Sequence, residues 1–154
     1  MLTRDHEAAG AALGGAGDAG RTEADAPVEI AAGTLGAHRA LRLSGNHRVL
    51  LTGARAELLF GEAEVLVKAK HLVDGRAVRS GGGRGHYHLL FDRHEVVMAN
   101  GLPCGLHTPA IRRWRLTPGC RTRSCGLFPI LREGGFGPLA RVEVKGREAR
   151  LLGR

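Results

Sequence analysis

Residues 43–51 read "LSGNHRVLL", a short polar turn that carries one histidine and closes on an apolar run. A serine hydroxyl lies three residues ahead of the imidazole, just where a tight turn becomes a buried strand. A histidine at a strand entrance is ordinarily a half-buried side chain held by its neighbours. It is also the side chain most used to move protons near neutral pH. The rest of the chain has to separate these two readings.

Outward from this stretch the sequence continues in the same style. "PVEIAAG", "RALRL", "HRVLLTG", "AELLFG" and "AEVLVKAKHLVDG" are short leucine-rich and β-branched segments punctuated by glycine, the spacing of an all-β domain. The last of them alternates poorly at its centre, and its end reads as a helical turn closed by Asp74-Gly75. In "HYHLLFDRHEVVMANG", Tyr87, Leu89 and Phe91 share one face of a strand, Asp92-Arg93 begins a turn, and a second strand stops at the Asn100-Gly101 turn. Residues 7–26 mix alanine with glycine and offer little to bury, so disorder is expected over 1–26 and ordered structure from Pro27. Glycines 81–83 and 85 mark a flexible stretch over 79–85. Thr117-Pro118 opens a poor helix in a mixed, partly helical tail. The division read from these patterns is 1–26 as an N-terminal remnant, 27–109 as the β domain and 110–154 as a basic extension.

Composition sets the bounds. The chain has 154 residues, 43% of them hydrophobic, which suits one domain with its own core. Only 4% are aromatic, so that core is built from leucine, valine and alanine. No apolar run reaches the roughly 18 residues of a membrane span, and the start "MLTRDHEAAG" lacks a signal-peptide core. A cytoplasmic setting without membrane contact is the default expectation. Cys104, Cys120 and Cys125 are odd in number and irregularly spaced, which matches neither a disulfide framework nor a metal knuckle.

The net charge of +8 is unevenly placed. Residues 1–111 hold 12 basic and 12 acidic side chains, whereas residues 112–154 hold 11 basic against 3 acidic and carry the whole excess. A basic module touching nucleic acid or an acidic partner through 112–154 is therefore an alternative function. The tail lacks the basic-aromatic alternation of a base-stacking surface, which argues against nucleic acid.

Two histidine-bearing turns, Ser44-x-x-His47 and Asp92-x-His94, each abut a strand about 45 residues apart. Brought together, they suit acyl transfer, in which one imidazole protonates a leaving amide nitrogen while a hydroxyl or carboxylate orients it. They equally suit a polar network that ties two turns together. His86, His88 and His94 were they to converge would offer nitrogen ligands, but no carboxylate or thiol stands at ligand spacing, so neither metal nor cofactor is expected.

Taken in order, "AGTLG" (32–36), "LSGNHRVLL" (43–51), "AELLFGEAEVLVKAKHLVDG" (56–75), "YHLLFDRHEVVMANG" (87–101) and "LFPILREGGFGPLARVEVKGREARLL" (127–152) resemble the Hint domain of hedgehog autoprocessing domains and inteins. The likeness is nearest to bacterial hedgehog/intein-type proteins and covers nearly everything from Pro27 onward. It implies an all-β, horseshoe-like Hint fold and self-cleavage through an N-to-S acyl shift. Ser44 and His47 fall on the family's Thr-x-x-His motif, whose histidine destabilises the scissile amide and protonates its nitrogen. Asp92 and His94 fall on a later motif near the same centre, and Asn100-Gly101 on a hairpin turn.

The sequence departs from the family pattern in three respects. Serine replaces threonine at position 44 and loses the β-branch that stiffens the side chain. The Cys-led first segment has no counterpart, and all three cysteines follow His47. The "NGLPCGLH" stretch lacks the His-Asn ending that splicing uses. The resemblance then implies a Hint-type protein inactive alone, acting on itself or on a covalently linked upstream segment once a nucleophile is supplied. Absent first strands would also leave an open sheet edge through which copies associate.

Overall fold

The computed structural model describes residues 12–15, 26–81, 87–90, 94–105 and 138–152. Ten strands in three sheets and two short helices make up these residues. They are β1 (Ala12–Gly15), β2 (Pro27–Ile30), β3 (Leu41–Ser44), β4 (Arg48–Thr52), α1 (Ala54–Phe60), β5 (Glu64–Lys68), β6 (Val78–Ser80), β7 (Tyr87–Leu90), β8 (Val96–Ala99), β9 (Leu102–Gly105), β10 (Val142–Val144) and α2 (Gly146–Ala149). The all-β class read from the sequence is the class the chain adopts.

A five-stranded sheet, ordered β10-β5-β4-β9-β8, is the frame. Its β4–β5 pair sets Arg48 opposite Lys68 and Leu50 opposite Leu66, and β9 returns along β4 with Gly105 opposite Arg48. Side chains alternate between faces along each strand. One face presents Val49, Leu102 and Cys104, which are packed with Val28, Ile30, Leu41 and Val78 of the three-stranded sheet β3-β2-β6. Further along the same face, Val65, Val67 and Val144 pack with Ala56 of α1 and Ala149 of α2. The opposite face presents Leu50, Leu66 and Val96, against which Leu139 and Ala140 rest.

Asn100-Gly101 forms the two-residue turn between β8 and β9, with Ala99 opposite Leu102. Both central residues have positive φ, 53° and 93°. That is the geometry a type I′ hairpin turn needs and the reason glycine holds the second place. The turn is fastened to the loop before β3, since Arg39 N–H donates to the Asn100 carbonyl at 2.9 Å and Asn100 Nδ2 donates to the Ala40 carbonyl at 3.0 Å.

Three expectations change. Ala12–Gly15, inside the stretch expected to be disordered, forms a strand antiparallel to Tyr87–Leu90. "AELLFG" is not a strand, because Ala54–Phe60 is a helix. Alanine, arginine, glutamate and leucine are strong helix formers, and glycines at both ends confine the segment to two turns. Residues 138–152 are no appendage either, for β10 pairs parallel with β5 inside the main sheet. The turn at the end of "KAKHLVDG" is present as a 3-10 turn over Ala69–His71. Asp74 follows it, and its carboxylate accepts from Arg76 N–H at 2.7 Å and Val78 N–H at 2.9 Å. The helix expected from Thr117-Pro118, the side chains of Cys120 and Cys125, most of the 79–85 stretch, and residues 1–11 and 16–25 lie outside the described residues.

Candidate functional site

The turn at 44–47 is built by local bonds. His47 N–H donates to the Ser44 carbonyl at 2.9 Å, and the Ser44 hydroxyl oxygen accepts from Asn46 N–H at 3.4 Å, the arrangement by which serine stabilises a turn. Ser44 is buried and His47 half-buried. The residues that leave β5 hold the turn from outside. Ala69 N–H donates to the His47 carbonyl at 2.8 Å, Lys70 N–H to the Gly45 carbonyl at 3.0 Å, and Lys70 Nζ to Asn46 Oδ1 at 2.8 Å. The imidazole of His47 thus stands on a backbone fixed at both ends.

His94 enters from the start of β8 and is 5% exposed. Its ring lies on Gly105, where a Cβ would come 3.0 Å from its Cε1 and 2.8 Å from Leu66 Cδ2. Any larger residue here would have to push the Leu66 methyl and the ring aside. Ala140 N–H donates to His94 Nδ1 at 3.2 Å. Because Gly105 is the cross-strand neighbour of both Arg48, the residue after His47, and Val96, two after His94, the register sets both histidines at one end of the five-stranded sheet. Of the four residues singled out from the sequence, Ser44 and His47 share one turn and His94 stands at the same end of the sheet. Asp92 lies outside the described residues, as do His86 and the side chain of His88. Among the described residues no group of three or more histidine, cysteine or acidic side chains converges as a metal ion would require.

Charge is arranged tightly around this end. Arg48 and Lys68, directly opposite on neighbouring strands, would repel one another. Glu143 of β10 meets both, at 2.7 Å from Arg48 Nε and 2.9 Å from Lys68 Nζ. Burial pushes the Glu143 carboxyl up, but hydrogen bonds from Lys68 and Arg48, with their charges, outweigh it and hold the group below the usual carboxylate range. His71, beside them, is shifted down, first by burial and then by Lys70, Lys68 and Arg150 against the opposing pull of Glu143. Cys104 is fully buried, and burial pushes its thiol up to about 12. A thiol that stays protonated is no nucleophile.

Reading the sequence alone missed Lys70, Gly105, Ala140 and Glu143. Two like charges due to face each other on adjacent strands signal that an acid must come from elsewhere, but nothing local says from where. Ala140 acts through its backbone and leaves no side-chain mark at all.

An all-β protein with two histidines set at one end of a single sheet is the class these features define. A family model for the Hint domain matches residues 5–109, about two thirds of the chain, and the protein belongs to the Hint-domain family of autoprocessing proteins. No curated protein and no solved structure gives a significant match. Among the described residues no helix is long and apolar enough to cross a membrane.

Proposed function

We propose that this chain supplies the acid–base half of an autoprocessing centre, with His47 as proton donor and Ser44, Asp92 and His94 as its supporting groups. The nucleophile is a thiol or hydroxyl brought to the turn by another polypeptide segment, covalently linked or separate. Without that segment the chain does not cleave. Neither cysteine nor serine precedes Ser44 in the sequence, and the buried, protonated Cys104 does not fill the role.

In the reaction, the incoming sulfur attacks the carbonyl carbon of the peptide bond just before it. The C–N bond breaks, the thiol's proton passes through the His47 imidazole to the leaving nitrogen, and a thioester replaces the amide. A second nucleophile, water or a thiol, then attacks the thioester and frees the thiolate. The observation that carries this reading is the pinned 44–47 turn, whose bonds to Ala69 and Lys70 fix a histidine on the family's own motif. Fixed placement of a general acid matters because a misplaced one loses most of its effect. The basic-module reading draws no support from residues 138–152, where Arg141 meets Glu64 at 2.7 Å and Glu143 is enclosed by cations.

Mass spectrometry of the chain mixed with a peptide that carries a Cys-led segment joined to an upstream reporter tests the proposal. Release of the reporter is expected from the native chain, with a loss of about a hundredfold or more in His47→Ala. Peptide binding without release in the native chain would refute it.

A further inference from the structure

His94 is gripped by a part of the chain that the family match does not include. The match ends at residue 109, whereas the N–H that meets Nδ1 belongs to Ala140. That N–H is itself firmly placed. Leu139 and Ala140 rest on Leu50, Leu66 and Val96. The Arg141 guanidinium donates from one side to the Ala140 carbonyl at 2.8 Å and from the other to Glu64 at 2.7 Å. From there the chain runs directly into β10, which is locked to β5. The ring also lies over Gly105, where any Cβ would crowd Cε1 and Nε2.

A backbone N–H donates and never accepts, so the nitrogen facing it must present a lone pair. The neutral imidazole then carries its single proton on Nε2. We infer that residues 139–141 act as a latch that holds His94 in the Nε2–H tautomer. This makes Ala140 a positioning residue, and β10 the strand on which the orientation of a motif histidine depends. The role in cleavage rests on the proposed autoprocessing reading; the tautomer does not. The opposite tautomer would offer an acceptor from Nε2 where this one offers a donor, so the latch decides which partner His94 can serve.

The test removes one hydrogen. Cys125 is a natural ligation point, so a full chain can be assembled from 1–124, labelled with nitrogen-15 in its histidines, and a synthetic 125–154 segment in which L-lactate replaces Ala140. The ester keeps the methyl group and the chain path but has no N–H. Imidazole nitrogen spectra, with His94 assigned by its loss in His94→Gln, should show an unprotonated Nδ1 and a protonated Nε2 in the all-amide chain. In the ester chain the Nδ1 signal should move toward the protonated position, because an ester oxygen now faces its lone pair. Reporter release should fall severalfold while the amide spectrum of the sheet stays in place. A protonated Nδ1 in the all-amide chain, or a tautomer indifferent to the ester, overturns the latch. A tautomer that shifts as stated in a chain that never releases the reporter overturns the autoprocessing reading and leaves the latch standing.

Discussion

Glu143 shows how one side chain decides what its neighbours can be. Arg48 and Lys68 face each other across β4 and β5, and a carboxylate from β10 reaches both and offsets their repulsion. Hydrogen bonds to charged groups of this kind contribute about 1.5–3 kcal/mol when well shielded. With roughly a fifth of the Glu143 side chain still exposed, the lower end of that range applies. Cys104 makes the complementary case, a reactive group silenced by its surroundings. With no exposed surface and a thiol pushed up to about 12, it behaves as a small apolar residue packed with Val28, Ile30 and Val49. Iodoacetamide at pH 8 should leave Cys104 unmodified in the folded chain and modify it fully in urea, as read by peptide mass mapping. Labelling at equal rates in both states would contradict the burial.

Among the elements, the β8–β9 hairpin depends most directly on sequence. Asn100 and Gly101 both take positive φ, and a Cβ at position 101 would lie 3.0 Å from the Ala37 carbonyl oxygen. Gly101→Ala is therefore expected to cost about 1–3 kcal/mol, read as a lower urea midpoint with little change in slope. An unchanged midpoint would mean that the turn is not under this constraint. The hairpin was legible beforehand because an Asn-Gly pair between two apolar runs has one dominant structural meaning. The 44–47 turn was legible for the same kind of reason. Helix α1 was not, since seven residues between two glycines are too few for a helical period to stand out from a leucine-rich strand. Strand β10 left still less trace. Three residues that pair in parallel with a partner 77 positions earlier have no local signature, and the latch on His94 is a backbone group common to every residue but proline.

At the level of the whole molecule, three described groups, His71, Glu143 and Asp74, tie stability to pH in the same direction. The value of His71 is lowered in the folded chain, so below about 6.5 the unfolded chain takes up a proton that the folded one refuses. Stability declines there until folded His71 titrates as well. Glu143 is held below the ordinary carboxylate value of about 4.3, so a second decline sets in beneath it and continues until the folded carboxyl is protonated. Urea midpoints measured across pH should fall in two stages. His71→Gln should flatten the upper stage and Glu143→Gln should shrink the lower one, to which Asp74 also contributes, the Glu143 variant also costing about 1.5 kcal/mol at neutral pH. Identical pH profiles for the native chain and both variants would refute this assignment.

The parallel pairing of β10 with β5 has a consequence in time. Contacts between distant segments form only after the chain between them has been made and brought back. A ribosome that has released Val65 must still add 77 residues before Val142 can meet it. Until then the edge of β5 that takes β10 is unfilled, Glu143 has not reached Arg48 and Lys68, and the Ala140 N–H has not reached His94. Both histidines are thus translated early, and the segment whose N–H meets one of them arrives late. Synthesis itself delays this end of the sheet until the far segment is in hand.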